Sequence, residues 1–445
     1  MGSGVSPSDR SVVNRSQSRP MRGAYTVAVL CLTLILSFID RFVINLVVDP
    51  IRSDLGLSDV EISFLQGAGF AALFALAALP AGRLADRVNR PRLIATGVIV
   101  WSLGTILSGL SEGFWPFLFA RLLVGLGEAS LIPAASSLIV DRFSARRRGA
   151  ALGIFTLGST SGSGIALIVG GATLSYLASS ASQPLPMISS LSPWRQMMVL
   201  MGLPGFALMP LLLLIRDPAR RHSPMLPALP DLLRALKAEG GVALHLCLAK
   251  GFMGLGDYGM VVWLPTLLMR RYGATAVEAG GLIGLATAIS GMVGAIFGGM
   301  ASDWCTGRYG AAARRRVILG SYLVSVLGAV IIGLSKSGSH LALGFSIWVV
   351  GSVSGYVVGQ VAMQELVPAS MRATTVALSI TITALIGIGI GPTLVPLIAE
   401  QFSTAGNPMQ VAMFIVALVA VAPAILLIVQ VVLYLPADDP QKSEA

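Results

Sequence analysis

Apolar residues in this chain neither alternate nor keep to one helical face. They run on for about twenty residues at a time, with short polar breaks between runs. Twelve such runs fall at 24–47, 62–81, 93–111, 117–140, 149–174, 196–215, 242–269, 279–300, 317–334, 341–364, 374–398 and 409–435. About 20 apolar residues cross a bilayer as helix. Lipid offers no partner to an unpaired backbone group, so each run predicts a membrane-spanning helix. The predicted fold class is an all-α membrane protein with twelve transmembrane helices in two six-helix bundles. The first bundle spans 24–215 and the second 242–435. A polar, Pro-rich linker at 216–241 separates them, and disordered tails are expected at 1–23 and 436–445.

Composition agrees with a lipid environment. Hydrophobic residues make up 55% of the chain and charged residues 12%, where soluble domains carry about 25% charged residues. The net charge of +10 raises the question of nucleic acid, and the placement of the charges answers it. Of 31 Lys and Arg, 23 lie in the tails, the linker and the loops on the side of the N-terminus. Five (Arg52, Arg195, Arg270, Arg271, Lys336) lie on the other side, and three (Arg41, Arg121, Lys250) sit inside apolar runs. This is the positive-inside bias, which places both termini in the cytoplasm of a multi-pass protein of the cell (plasma or inner) membrane. The basic balance is topology, and no nucleic-acid partner is expected. Residues 1–20 lack an apolar core, so no cleavable signal peptide is expected. Three scattered cysteines and three scattered histidines fit neither a disulfide framework nor a metal site, so no metal and no cofactor is expected.

Six helices, a linker and six helices is the layout of an internally repeated transporter. A second sign of repetition follows the second run, which ends in Gly82-Arg-Leu-Ala-Asp86-Arg87-Val-Asn-Arg90-Pro-Arg92. The matching point of the second half reads Gly299-Met-Ala-Ser-Asp303-Trp, followed by Arg308 and Arg314–Arg316. Ordinary positive-inside loops account for the arginines, but not for a Gly and an Asp four residues later at the same place in both halves. The first of these segments resembles the signature loop of the major facilitator superfamily, with Asn89 where that family usually has its second Gly. Asn tolerates the left-handed backbone such a turn requires. The resemblance implies two bundles rocking around a central cavity. It also implies a cytoplasmic latch built on Gly82, Asp86, Arg87 and Arg90, with Asp86 facing the N-terminal end of the eleventh helix near Ser370–Arg372.

A charge at the centre of a membrane helix costs roughly 2.5–3.5 kcal/mol on insertion scales, so the buried ones call for a reason. The first run carries Asp40-Arg41, with Asn45 beyond them, and the fourth carries Arg121 and Glu128. Seven residues is two helical turns, so Arg121 and Glu128 share a face about 10 Å apart. Two acids and two bases at similar depth sum to zero, as a buried cluster should. A static ion-pair network would account for them. A proton-linked switch would also do so, with protonation of Asp40 or Glu128 freeing an Arg to bind a headgroup or pair elsewhere.

The seventh run adds Lys250 and Asp257, again two turns apart. Gly254-Leu-Gly256-Asp-Tyr-Gly259 matches a dinucleotide-loop pattern, but no strand precedes it, so the glycines read as packing positions. Asp257, Tyr258, Tyr356 and Gln360 are further candidate cavity residues. Asp40-Arg41, the Arg-x-x-x-Gly-x-Gly-Glu-Ala of the fourth run and Trp263-Leu-Pro265 resemble two related branches. These are the Spinster lysolipid and sphingolipid transporters and the organic anion:cation symporters. Glu128-Ala-Ser130 and Ser161-Gly-Ser-Gly164 lean toward Spinster. That resemblance implies a monomeric, proton-linked carrier for a lipid or small-molecule substrate, working among membrane lipids. A pump would need a nucleotide loop and an enzyme a placed nucleophile or metal, and the sequence has neither. A channel would have no use for a repeated latch.

Overall fold

The computed structural model describes residues 7–85, 87–179, 188–218, 241–310, 312–366, 372–404 and 406–434. Among them, twelve helices are long and apolar enough to cross a membrane. In the first half these are α1 (Gly23–Leu46), α2 (Asp59–Ala78), α3 (Arg90–Leu110), α4 (Phe114–Arg142), α5 (Arg147–Ala178) and α6 (Pro193–Leu213). The second half supplies α7 (Val242–Tyr272), α8 (Ala276–Tyr309), α9 (Ala313–Leu334), α10 (Gly338–Leu366), α11 (Leu378–Gln401) and α12 (Pro408–Leu433). Helix starts follow local chemistry. Ser58 and Glu61 form a capping box at the head of α2, and Thr275 and Glu278 another at α8. The side chain of Asn89 accepts from the Arg92 amide to start α3, with Pro91 in its first turn.

The helix that contains α1 starts at Pro7, inside the segment expected as a disordered tail. Extending a nucleated helix adds one hydrogen bond per residue, and Pro in the first turn forfeits none. Most of the expected linker, the whole tail at 436–445, Asp86 and residues 370–371 lie outside the described residues.

Within the first half α3 packs against α4 and α6, α1 against α5, and α2 against α4. The second half mirrors this, with α9 against α10 and α12, α8 against α10, and α7 against α11 and α12. An ion pair repeats as well. At the head of α3, Arg90 binds Asp141 at the end of α4 and Ser137 one turn earlier. At the head of α9, Arg314 binds Glu365 at the end of α10, and also Ser302. Both ion pairs span 51 residues, so the two halves carry the same tie in the same register.

The halves meet along α5–α8 and α2–α11. At the first crossing, a methyl on Gly164 would stand 2.6 Å from the Gly284 carbonyl, and one on Gly284 equally close to Gly164. Backbone thus lies on backbone, the usual way helices associate where lipid removes a hydrophobic drive. Gly164→Leu is expected to cost about 1–3 kcal/mol by overpacking. The check is a lower melting temperature in detergent than that of Gly299→Leu, whose site has open space.

Candidate functional site

Four charges from α1 and α4 gather between the helices of the first half. Asp40, Arg121 and Glu128 are buried, and Arg41 nearly so. Arg41 pairs with Glu128, the acid whose helix face Arg121 shares two turns away. The Arg41 guanidinium also sits over the rings of Phe70 (4.3 Å) and Phe38 (4.9 Å). Arg121 turns instead to α2 and donates through Nε to the Leu65 carbonyl at 3.3 Å. That acceptor is free because α2 breaks at Gly67, leaving Leu65 near the carbonyl end of a helical segment. The break is set by packing: a methyl on Gly67 would fall 2.5 Å from the Ile388 carbonyl of α11. Asp40 lies within electrostatic reach of Glu128 and Arg121, beside Trp101 and Thr105 of α3. Both terminal nitrogens of Arg121, one oxygen of Asp40 and one of Glu128 are buried without a partner. Asn45, further along α1, accepts from Gln66 at 3.1 Å and joins α1 to α2 rather than to the charges.

The second half presents α7 and α10 where the first presents α1 and α4. Asp257 accepts from Trp348 Nε1 and Ser352 Oγ, each at 2.7 Å, so it is anchored to α10. Tyr258 points the other way. Its ring stacks on Phe42 of α1 at 6.2 Å, and its hydroxyl approaches Arg41, linking the halves at the cluster. Lys250 is buried and donates to Gln360, and its ammonium lies 4.1 Å above the Tyr356 ring. Gly254 packs on Thr383 and Gly387 of α11, Gly256 on Trp348, and Gly259 on Gly391. The dinucleotide-like pattern is therefore helix packing. Beside it, α11 widens into a π-helical stretch over Thr383–Ile388.

The two faces of the protein differ. On the face opposite the basic loops, Arg270 at the end of α7 holds two carboxylates of the other half. It binds Asp49 Oδ1 at 2.6 Å and Asp59 through two nitrogens at 2.5 and 2.8 Å. In the sequence Arg270 is legible only as a charge on the outer side. The signal was two acids flanking the first outer loop, opposite a basic helix end. Nearby, Arg195, Trp194 and Ser192 donate to Asp54 and hold its carboxyl below the usual range. That tie is complete at neutral pH and loosens as pH falls through the lowered value.

On the basic face, Arg90 is buried and bound to Asp141 of its own half and to Asp217 and the Pro218 carbonyl at the start of the linker. In this arrangement the donors of Arg90 are occupied by acids of its own half and of the linker, and none of these contacts crosses between the halves. Arg87 is exposed and Gly82 lies near Pro133. Asp86 and the Ser370 end of the latch fall outside the described residues.

A twelve-helix bundle with neutral buried charge, sealed on one face by an ion clamp between halves, has the anatomy of a secondary transporter. The sequence profile of the Major Facilitator Superfamily matches residues 30–392, and the chain belongs to that family. Within it the chain is similar to proteins of the Spinster type. It is 34% identical to Protein spinster of Drosophila melanogaster over 221 residues, 50% of this chain and 33% of that protein. It is 33% identical to human Protein spinster homolog 1 over 264 residues, 56% of this chain and 47% of the relative. The matched stretch is thus less than half of either relative. The crystal structure of a bacterial homolog to the human lysosomal transporter Spinster, inward-facing and unoccupied, aligns with a TM-score of 0.73. Identity there is 26%, over 93% of this chain and 94% of that one. A probable L-galactonate transporter of Escherichia coli is 32% identical over 148 residues, 33% of this chain and 32% of the relative.

Proposed function

We propose that the chain is a monomeric, proton-linked carrier of the cell membrane, with its basic face and both termini in the cytoplasm, working by alternating access. Its cargo is an amphipathic lipid, a lysophospholipid or sphingoid lipid, whose polar headgroup meets Asp40, Arg41, Arg121 and Glu128. The observation that carries this reading is the mismatch inside a neutral cluster. Two acids and two bases are buried together, yet one oxygen on each acid and two nitrogens of Arg121 lack partners. Each orphaned buried polar atom costs about 1–3 kcal/mol, so four of them gathered on charged groups favour a proton or a ligand over a purely structural ion-pair network. A proton on Asp40 or Glu128, or a headgroup oxygen against Arg121, supplies what is missing. The α2–α11 and α5–α8 crossings and the Arg270 clamp support a state closed on the outer face, with the cluster reached from the basic face.

A second reading, a proton-coupled symporter of small organic anions such as sugar acids, is favoured by the likeness to the probable L-galactonate transporter. One measurement separates them: ligand-induced thermal shift of the purified protein at about pH 5.5 and about pH 7.5, a range in which perturbed carboxylates titrate. Lysophospholipids and sphingoid bases, kept below their micelle limit, are compared with sugar acids. Stabilisation by lipids that is lost in Arg121→Ala is the expected result. Stabilisation by sugar acids alone transfers the protein to the anion branch.

A further inference from the structure

The first-half cluster is electrically balanced, but the second half contains a buried cation without a counter-ion. Lys250 is 3% exposed and lies two turns into α7 from the basic face. Its ammonium has three donor positions. One is taken by the Gln360 carbonyl oxygen, and the Tyr356 ring covers another side at 4.1 Å. Both are neutral groups. The thiol of Cys247 faces the same space but engages Met363 Sδ at 3.2 Å. Asp257, on the same face of α7, stands about 10 Å further along the helix and is committed to Trp348 and Ser352. Among the described residues no carboxylate pairs with Lys250.

The site also has an approach. Tyr356, Gln360 and Gln364 repeat every four residues along α10, and Tyr356 is 45% exposed while the other two are partly so. Amide side chains do not face hydrocarbon without partners, so this stripe lines the cleft between the halves rather than the lipid. Tyr356 is close enough to Tyr258 to interact with it, and Tyr258 touches the Arg41 side of the cleft. An ammonium behind a polar stripe, surrounded by neutral acceptors, is costly to bury unless a negative group joins it.

We propose that Lys250, Gln360 and Tyr356 form an anion subsite that holds the acid group of the cargo, a phosphate or a carboxylate, while it occupies the cleft. The inference rests on the carrier reading above and narrows it: the cargo bears a negative charge, so a sphingoid base without a phosphate is a poor ligand. The Arg–Glu cluster then handles protons and neutral headgroup oxygens, and Lys250 handles the fixed charge.

The test measures binding to the full-length protein in nanodiscs with three probes: oleoyl-lysophosphatidylglycerol, gluconate and the uncharged monooleoylglycerol. Wild type is expected to bind one of the two anions at least about tenfold more tightly than monooleoylglycerol, which is about 1.4 kcal/mol. Which anion it prefers identifies the source of the acid group. Lys250→Gln is expected to erase that preference. Gln360→Glu, nearly isosteric, gives the ammonium an internal counter-ion and is expected to weaken the anion about tenfold while sparing monooleoylglycerol. An anion preference within twofold of wild type in Gln360→Glu, or a wild-type preference for the uncharged probe, overturns the proposal. Proton coupling is read separately, from gradient-driven uptake by Glu128→Gln. A failure there leaves the Lys250 result standing, and the reverse also holds.

Discussion

Glu128→Gln is expected to lower pH-gradient-driven uptake into proteoliposomes by about a hundredfold, equivalent to about 2.7 kcal/mol, while the protein remains folded. The carboxylate pairs with Arg41, and its second oxygen is buried and unpartnered. Gln keeps the shape and one acceptor oxygen for Arg41 but cannot take a proton or carry charge. It also leaves two buried arginines facing the single carboxylate of Asp40. Removing one partner of a buried pair outright costs about 3–5 kcal/mol, and retention of the hydrogen bond keeps the isosteric change below that. Arg121→Ala should abolish coupled uptake in the same assay, because Arg121 carries the free donors of the cluster. Full gradient-driven transport by both variants would remove the four charges from the mechanism and leave them as packing.

Arg270→Glu should shift the protein about tenfold toward a state open on the outer face, a change of about 1.4 kcal/mol in the conformational balance. The wild-type guanidinium binds two carboxylates of the other half at once. All three side chains are partly exposed, so each pair by itself is worth about 1 kcal/mol or less. The substitution removes both attractions and sets three like charges together, which is why the sum is large. The distance between spin labels at Ser53 and Thr404, one in each half, reports it. A distribution unchanged from wild type would show that helix packing alone seals this face. Asp49→Asn with Asp59→Asn should move the distribution the same way but less far, since attraction is lost without added repulsion.

The number of helices, their approximate positions and the candidate charges were legible in the sequence, although α8 runs on to Tyr309, nine residues past its apolar run. The partners of those charges were not. Arg121 and Glu128 do share a face of α4, as their spacing requires, but two turns is too far for them to bond. Glu128 takes the arginine of α1 instead. Arg121 goes to a carbonyl that exists as a free acceptor only because α2 breaks where it crosses α11. Arg90 read as part of a latch between halves because its segment resembles a family signature. In the structure it binds Asp141, 51 residues away, and Asp217, 127 residues away, separations at which no local spacing rule operates. The equal separation of Arg314 and Glu365 shows that this tie belongs to the repeat itself.

The sequence by itself determined that this chain crosses a membrane twelve times, because in hydrocarbon every backbone group must be satisfied within its own helix and length alone counts the crossings. Composition likewise determined which side is basic and that four central charges balance. Tertiary structure alone decided which acid meets which base, which face is sealed and which cation is left without a counter-ion. Those outcomes depend on which helices lie side by side, and the depth and rotation of each helix are set by glycine-to-backbone crossings such as Gly164 on Gly284, contacts between residues 120 positions apart.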